Sequence, residues 1–105
     1  MVNRQRGEVE AMLDGRTWTL CLTLGALAEL EAALDAHDLM GLAQRFGEGK
    51  LAAGDAICVI GAGLRGAGNE VSDMQVAAMR AEGGAAGYVA IVGALLAATF
   101  GSADE

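Results

Sequence analysis

Ile57-Cys58-Val59-Ile60-Gly61-Ala62-Gly63-Leu64-Arg65-Gly66-Ala67-Gly68 is the stretch whose reading decides the fold. An apolar run enters Gly61-x-Gly63-x-x-Gly66, the spacing of a dinucleotide-binding turn that bends a strand into a helix and brings backbone close to a pyrophosphate. The flanks argue against that turn. Ala67, Gly68, Asn69 and Glu70 read as a loop, whereas the fingerprint needs a helix there and a second parallel strand beyond it. An acidic residue about twenty positions on should meet a ribose; Glu82 stands near that distance, but at the end of a helical pattern. The same run reads well as a helix. Ile57, Ile60 and Leu64 share one face at i, i+3, i+7, Arg65 complements the dipole in the last turn, and Gly66 or Gly68 suits a left-handed C-terminal position.

Working outward, a chain of 105 residues and 10.6 kDa is one domain with room for one core. Hydrophobic residues make up 53 %, which excludes a disordered chain, but aromatics are only 4 %. Alanine and glycine dominate, so helices can approach closely while each residue buries little, and the core stands to gain from a partner. The net charge of −7 disfavours nucleic acid, which needs clustered Lys and Arg. It suits a soluble cytoplasmic protein. Cys21 and Cys58 are too few for a disulfide framework and read as free thiols in apolar surroundings. The polar start through Glu10 lacks the apolar core of a secretory signal.

Toward the N-terminus, Val9, Ala11 and Leu13 alternate with polar or exposed-type positions. Asp14-Gly15 is a pair that tolerates positive φ in a tight turn, and Thr17 to Thr23 alternates again in β-favouring residues. This predicts a hairpin over about 8–23, with Trp18, Leu20 and Leu22 on one face. Trp18 reads as hairpin cover or, in the sharper reading, as a partner contact. A helix follows over about 24–36, capped by Thr23, with Leu24, Leu27, Ala28, Leu30 and Leu34 as its apolar stripe and Glu29 and Glu31 on a solvated face. His37 and Asp38 make a turn; a lone histidine is no metal site. A short helix is expected over about 38–46. Gly47, Gly49 and Lys50 lack phosphate-loop spacing, and Leu51 stands where Ser or Thr belongs.

Toward the C-terminus, helices are expected over about 52–65, 72–82 and 85–100. Ser72 and Gln75 form a capping box, with Val76 and Met79 inward, together with Ala77 or the stem of Arg80. From Gly83 through Ala103 no residue is charged, long enough for a membrane span, but the alanine and glycine content and the lack of basic flanks argue for a buried or partner-binding helix. Val89, Val92, Leu95, Leu96 and Phe100 cover more of its circumference than one small core needs and are, with Trp18, the candidate partner-binding residues. No catalytic constellation, cofactor site or metal-ligand cluster emerges. The predicted fold is α+β, mostly α: an N-terminal β-hairpin followed by a bundle of about four to five short helices.

Along most of its length the chain resembles the tail assembly chaperone family of alphaproteobacterial gene transfer agents and related phages. The matching stretches are Asn3-Arg4-Gln5-Arg6-Gly7-Glu8, Leu22-Thr23-Leu24-Gly25-Ala26-Leu27-Ala28-Glu29-Leu30-Glu31, Ile60-Gly61-Ala62-Gly63-Leu64-Arg65-Gly66 and Leu95-Leu96-Ala97-Ala98-Thr99-Phe100-Gly101. Ala52-Ala53-Gly54 departs from the pattern, since a capping residue such as Ser is expected there. The resemblance implies a non-enzymatic assembly factor, working in the bacterial host cell, that binds the tape measure protein and aids polymerisation of the tail tube protein. It implies no nucleic-acid or membrane partner and no catalytic residues. Two alternatives remain beside it: a structural tail or connector subunit retained in the particle, and a nucleotide-binding domain on Gly61, Gly63 and Gly66.

Overall fold

The computed structural model describes residues 7–34, 41, 44, 46–50 and 52–100. Its element order is β1 (Glu8–Leu13), β2 (Arg16–Cys21), α1 (Leu24–Leu34), α2 (Ala53–Gly66), α3 (Asp73–Ala78) and α4 (Ala85–Phe100). The fold is α+β and mostly α: an antiparallel hairpin followed by helices. The expected helix over about 38–46 and the turn at His37 fall largely or wholly outside the described residues.

The hairpin forms where the alternation places it. Asp14 (φ 55°) and Gly15 (φ 73°) both take positive φ, as a two-residue turn matched to strand twist requires. The register pairs Val9 with Leu20 and Ala11 with Trp18, so the apolar side chains of both strands share one face. That face lies against α2 and α4. Trp18 closes it: the indole Nε1 donates to the Leu13 carbonyl at 3.0 Å, and the Arg16 guanidinium sits 4.3 Å from the ring centroid.

The decisive stretch is helix, not a strand and turn. α2 carries Gly61, Gly63 and Gly66 within its span, and Val59 through Leu64 are buried without interruption. Six consecutive buried positions cover every side of a helix, so α2 is enclosed by α1, β2, α3 and α4 rather than presenting one face. Glycines allow that enclosure. A Cβ on Gly61 would meet Asp73 Oδ1 at 2.3 Å, one on Gly63 would meet Leu95 Cδ1 at 2.9 Å, and one on Gly66 would meet the Cys21 carbonyl oxygen at 2.0 Å. Three different neighbours use the three missing side chains.

The helix ends as its sequence suggests. Gly68 (φ 97°) is the left-handed residue; its N–H donates to the Arg65 carbonyl, and the Asn69 N–H reaches back to Leu64. At the other end Ala52 has no side-chain oxygen to offer. Asp55 supplies the reverse half of a cap, its carboxylate accepting from the Ala52 N–H at 3.1 Å.

Three expectations need correction. In α1 the buried residues are Ala26 and Leu30, with Leu27 half-buried, whereas Leu24 is 83 % exposed and Ala28 is on the outside. Thr23 does cap the helix, accepting from the Ala26 N–H at 3.1 Å. A small residue is needed at position 26, because α1 starts where Gly66 approaches Cys21 and Ala26. Second, α3 stops at Ala78, well short of 82. Met79 turns extended (ψ 150°), Arg80 exchanges bonds with Asp14, and Ala81 bridges Leu13. The hairpin turn captures the chain before the helix can continue. Third, Ala77 and Arg80 are exposed; Val76 and Met79 alone carry the inward face there.

Candidate partner-binding face

The hydrophobic helix at the C-terminus sorts its candidate residues in two. Val92 and Leu95 are completely buried and Leu96 nearly so, packed with the hairpin and α2 in the chain's own core. They have no surface to offer in this fold. Val89, 49 % exposed, and Phe100, 36 % exposed, face outward. Trp18 is half-buried at the hairpin, held through its ring and its N–H, and lies on the core side rather than with Val89.

Val89 borders an apolar groove between α2, α3 and α4, with a volume of about 360 Å³. Ile57 and Ile60 contribute from α2, Val76 and Ala77 from α3, and Ala85, Tyr88 and Val89 from α4. The elements place them there for local reasons. The Ser72–Gln75 capping box starts α3: Ser72 Oγ accepts from the Gln75 N–H and Gln75 Oε1 accepts from the Ser72 N–H. Tyr88 ties α4 to the end of α3 by donating its hydroxyl proton to the Met79 carbonyl. Exposed Met74, one turn before Ala77 on α3, extends the apolar surface beyond the groove.

Away from the groove, one charged group ties α1 and the start of α3 to the C-terminal end of α2, and helix-terminal charge matching alone did not reveal it. Arg65, the sole Lys or Arg between Lys50 and Arg80, grips Glu29 of α1 through Nε and Nη2 at 2.8–3.3 Å. Its Nη1 donates to the Val71 carbonyl at 3.0 Å. Asp73 Oδ1 lies 3.0 Å from Nη2, within ion-pair distance though off the angle of a hydrogen bond. The hydrogen bond to Glu29 is the main influence raising the Arg65 pKa, with Asp73 adding and burial opposing. Glu29 is thus exposed but engaged. The signal available in the sequence was the isolation of Arg65 among acids.

Cys58 is half-buried on α2. Burial first, then the Asp73 and Asp55 carboxylates, push its thiol above the ordinary value, with Arg65 pulling the other way. That keeps the thiol protonated and a poor nucleophile at neutral pH. Among the described residues, no group of three or more His, Cys, Asp or Glu could hold a metal ion, and no helix is long and apolar enough to cross a membrane. The backbone N–H groups of Gly61, Gly63 and Gly66 lie inside a helix, where they belong to the intrahelical ladder. They form no glycine-rich turn for a pyrophosphate.

The model of the family described as "Phage tail tube protein, GTA-gp10" matches residues 6–102. The chain belongs to this family. No curated protein and no solved structure matches. Membership in the GTA-gp10 tail tube family agrees with the expected link to gene transfer agent and phage tails; its description names a structural component rather than a chaperone or a reaction.

Proposed function

We propose that this protein is a non-enzymatic structural subunit of a phage-like or gene transfer agent tail, retained in the particle and working through protein–protein contacts. The observation that carries this reading is the family match over residues 6–102, whose description is a tail tube protein. The apolar groove and the outward-facing Val89 and Met74 support contact with other tail proteins as the mode of action. The test is quantitative mass spectrometry of purified particles. A subunit is present at a constant, multi-copy ratio to the other tail proteins; absence from finished particles overturns the proposal.

A second reading is favoured by the same groove: an assembly chaperone that covers apolar segments of the tape measure protein and aids tube polymerisation. Co-expression with the tape measure protein of the same gene cluster separates the two. A chaperone makes that protein soluble, co-purifies with it and is missing from the mature particle.

A further inference from the structure

We propose that the open edge of β1 receives an extended, basic strand of another tail protein. The inference rests on the protein-contact reading above and names the form and charge of the partner.

The hairpin has two edges, and the structure closes only one. In an antiparallel ladder with a two-residue turn, the pair beside the turn exchanges both of its hydrogen bonds, and every second pair does so after it. Those pairs are Leu13 with Arg16, Ala11 with Trp18 and Val9 with Leu20. The backbone groups of Glu8, Glu10 and Met12 therefore point away from β2, and those of Thr17, Thr19 and Cys21 point away from β1. On the β2 side the Asn69 amide donates to the Thr19 carbonyl at 3.0 Å, and Gly66 of α2 lies against the Cys21 carbonyl. On the β1 side the chain starts a third strand and abandons it. Ala81 bridges Leu13, and the Asp14 N–H donates to the Arg80 carbonyl at 2.8 Å. Gly83 (φ 91°) and Gly84 (φ 66°) then turn the chain into α4. Beyond that bridge, among the described residues, no backbone group bonds the outward N–H or C=O of Glu10, whose side chain is exposed. What such an edge accepts is another extended backbone.

Charge selects the partner. The outer face of the hairpin carries Glu8, Glu10 and Met12 from β1 and Thr17, Thr19 and Cys21 from β2, two acids and no base. Arg16 belongs to the other face, over the Trp18 ring. A second copy paired antiparallel about Glu10 would set Glu10 against Glu10, and like charges directly opposite destabilise a ladder. A lysine or arginine opposite Glu10 on a different protein complements it.

The probe is a synthetic peptide alternating lysine and valine. Its controls are a glutamate–valine peptide and a lysine–valine peptide N-methylated at each lysine, which lacks the donors that would face β1. In the free chain the Glu10 amide should exchange with solvent at least about tenfold faster than those of Val9 and Ala11. The basic peptide should slow Glu10 exchange, and anisotropy should show it binding at least about tenfold tighter than either control. Glu10→Lys should leave the melting temperature near wild type and reverse the preference toward the glutamate–valine peptide. Glu10→Pro removes the outward N–H without touching the bonds to β2 and should abolish binding of both; should it unfold, Glu10→Lys and the exchange rates decide. A Glu10 amide already protected in the free chain, equal binding of the N-methylated peptide, no binding, or a preference unmoved by Glu10→Lys overturns the assignment. So does protection of Glu10 that grows with protein concentration alone, because the occupant would then be a second copy. Particle composition is measured separately: a chain found in particles whose edge ignores the peptide sinks the edge assignment and leaves the subunit reading standing.

Discussion

Gly66→Ala should destabilise the protein, although alanine is the better helix former. Gly66 lies in the last turn of α2, and a Cβ there would stand 2.0 Å from the Cys21 carbonyl oxygen and 3.3 Å from Ala26 Cβ. The first neighbour is backbone, at the junction where β2 leads into α1, so it cannot rotate aside. Restoring an ordinary contact requires the strand end and the helix to part by more than an ångström. Overpacking of this kind costs about 1–3 kcal/mol, and a rigid backbone neighbour puts this case at the upper end. Replacing glycine in a helix returns at most about 1 kcal/mol. The net is a loss of about 2 kcal/mol. For a domain of this size each kcal/mol moves the midpoint by about 4–8 °C, so the melting temperature should fall by roughly 8–16 °C. Gly54→Ala is the control: it lies in the same helix with nothing within 4 Å of the added Cβ. It should raise the melting temperature by about 2–4 °C, with the gain limited by its place in the first turn. Thermal unfolding followed by far-UV circular dichroism measures both. If Gly66→Ala melts as high as Gly54→Ala, α2 is not in close contact with β2 and the account of the enclosed helix is wrong.

The other expectations are graded by what each side chain touches. Gly61→Ala conflicts with the end of a side chain, Asp73 Oδ1, which can swing away; it should change the melting temperature little while speeding amide exchange in α3, and unchanged exchange there refutes the contact. Arg65→Met removes the tie to Glu29, Val71 and Asp73 and should cost about 1–2 kcal/mol at low salt, the difference from wild type narrowing in high-salt denaturant titrations. Leu95→Ala should cost about 2–5 kcal/mol and Val89→Ala less than about 1 kcal/mol, because the first is enclosed and the second half exposed; equal costs would contradict the orientation of α4. Cys58 has a raised folded-state pKa, so its contribution to stability is full below the unfolded value of 9.0 and disappears as pH rises through the folded value. Wild type should therefore lose more stability than Cys58→Ala across the alkaline range in equilibrium unfolding, and parallel losses would refute the shift.

The parts that read correctly were those set by neighbours in sequence. Asp14-Gly15 announced its turn by the backbone angles these residues tolerate, Ser72 and Gln75 their cap, and the Ile57, Ile60 and Leu64 spacing a helix. What failed was set by contacts across the chain. Leu24 fits an apolar stripe on paper, but the approach of Gly66 and Cys21 puts Ala26 inside and leaves Leu24 in water. The pattern from Ser72 runs helically past Ala78, yet Asp14, distant in sequence, recruits Arg80 and ends the helix. The C-terminal helix has no charged residue to mark an outer face, so Val92, Leu95 and Leu96 looked as available to a partner as Val89 and Phe100. The groove joins three helices and was not readable from any one of them.

The glycine spacing that suggested a nucleotide has a different physical origin here. A phosphate-binding turn uses glycines to open backbone donors toward a ligand, at the point where a helix begins. In α2 the glycines stand in the middle and at the end, and the space left by each missing side chain is taken by Asp73, Leu95 or the Cys21 carbonyl. The same feature explains the composition. A helix touched on all sides must be thin, so its large residues are few and its neighbours supply the apolar bulk: Leu20 from the hairpin, Leu30 from α1 and Leu95 from α4 are fully buried or nearly so. Drawing those leucines inward leaves alanines along the outer sides of α3 and α4. Alanine exposes little apolar area, which with a charge of −7 favours solubility. The close packing inside is the consequence of one glycine-rich helix at the centre.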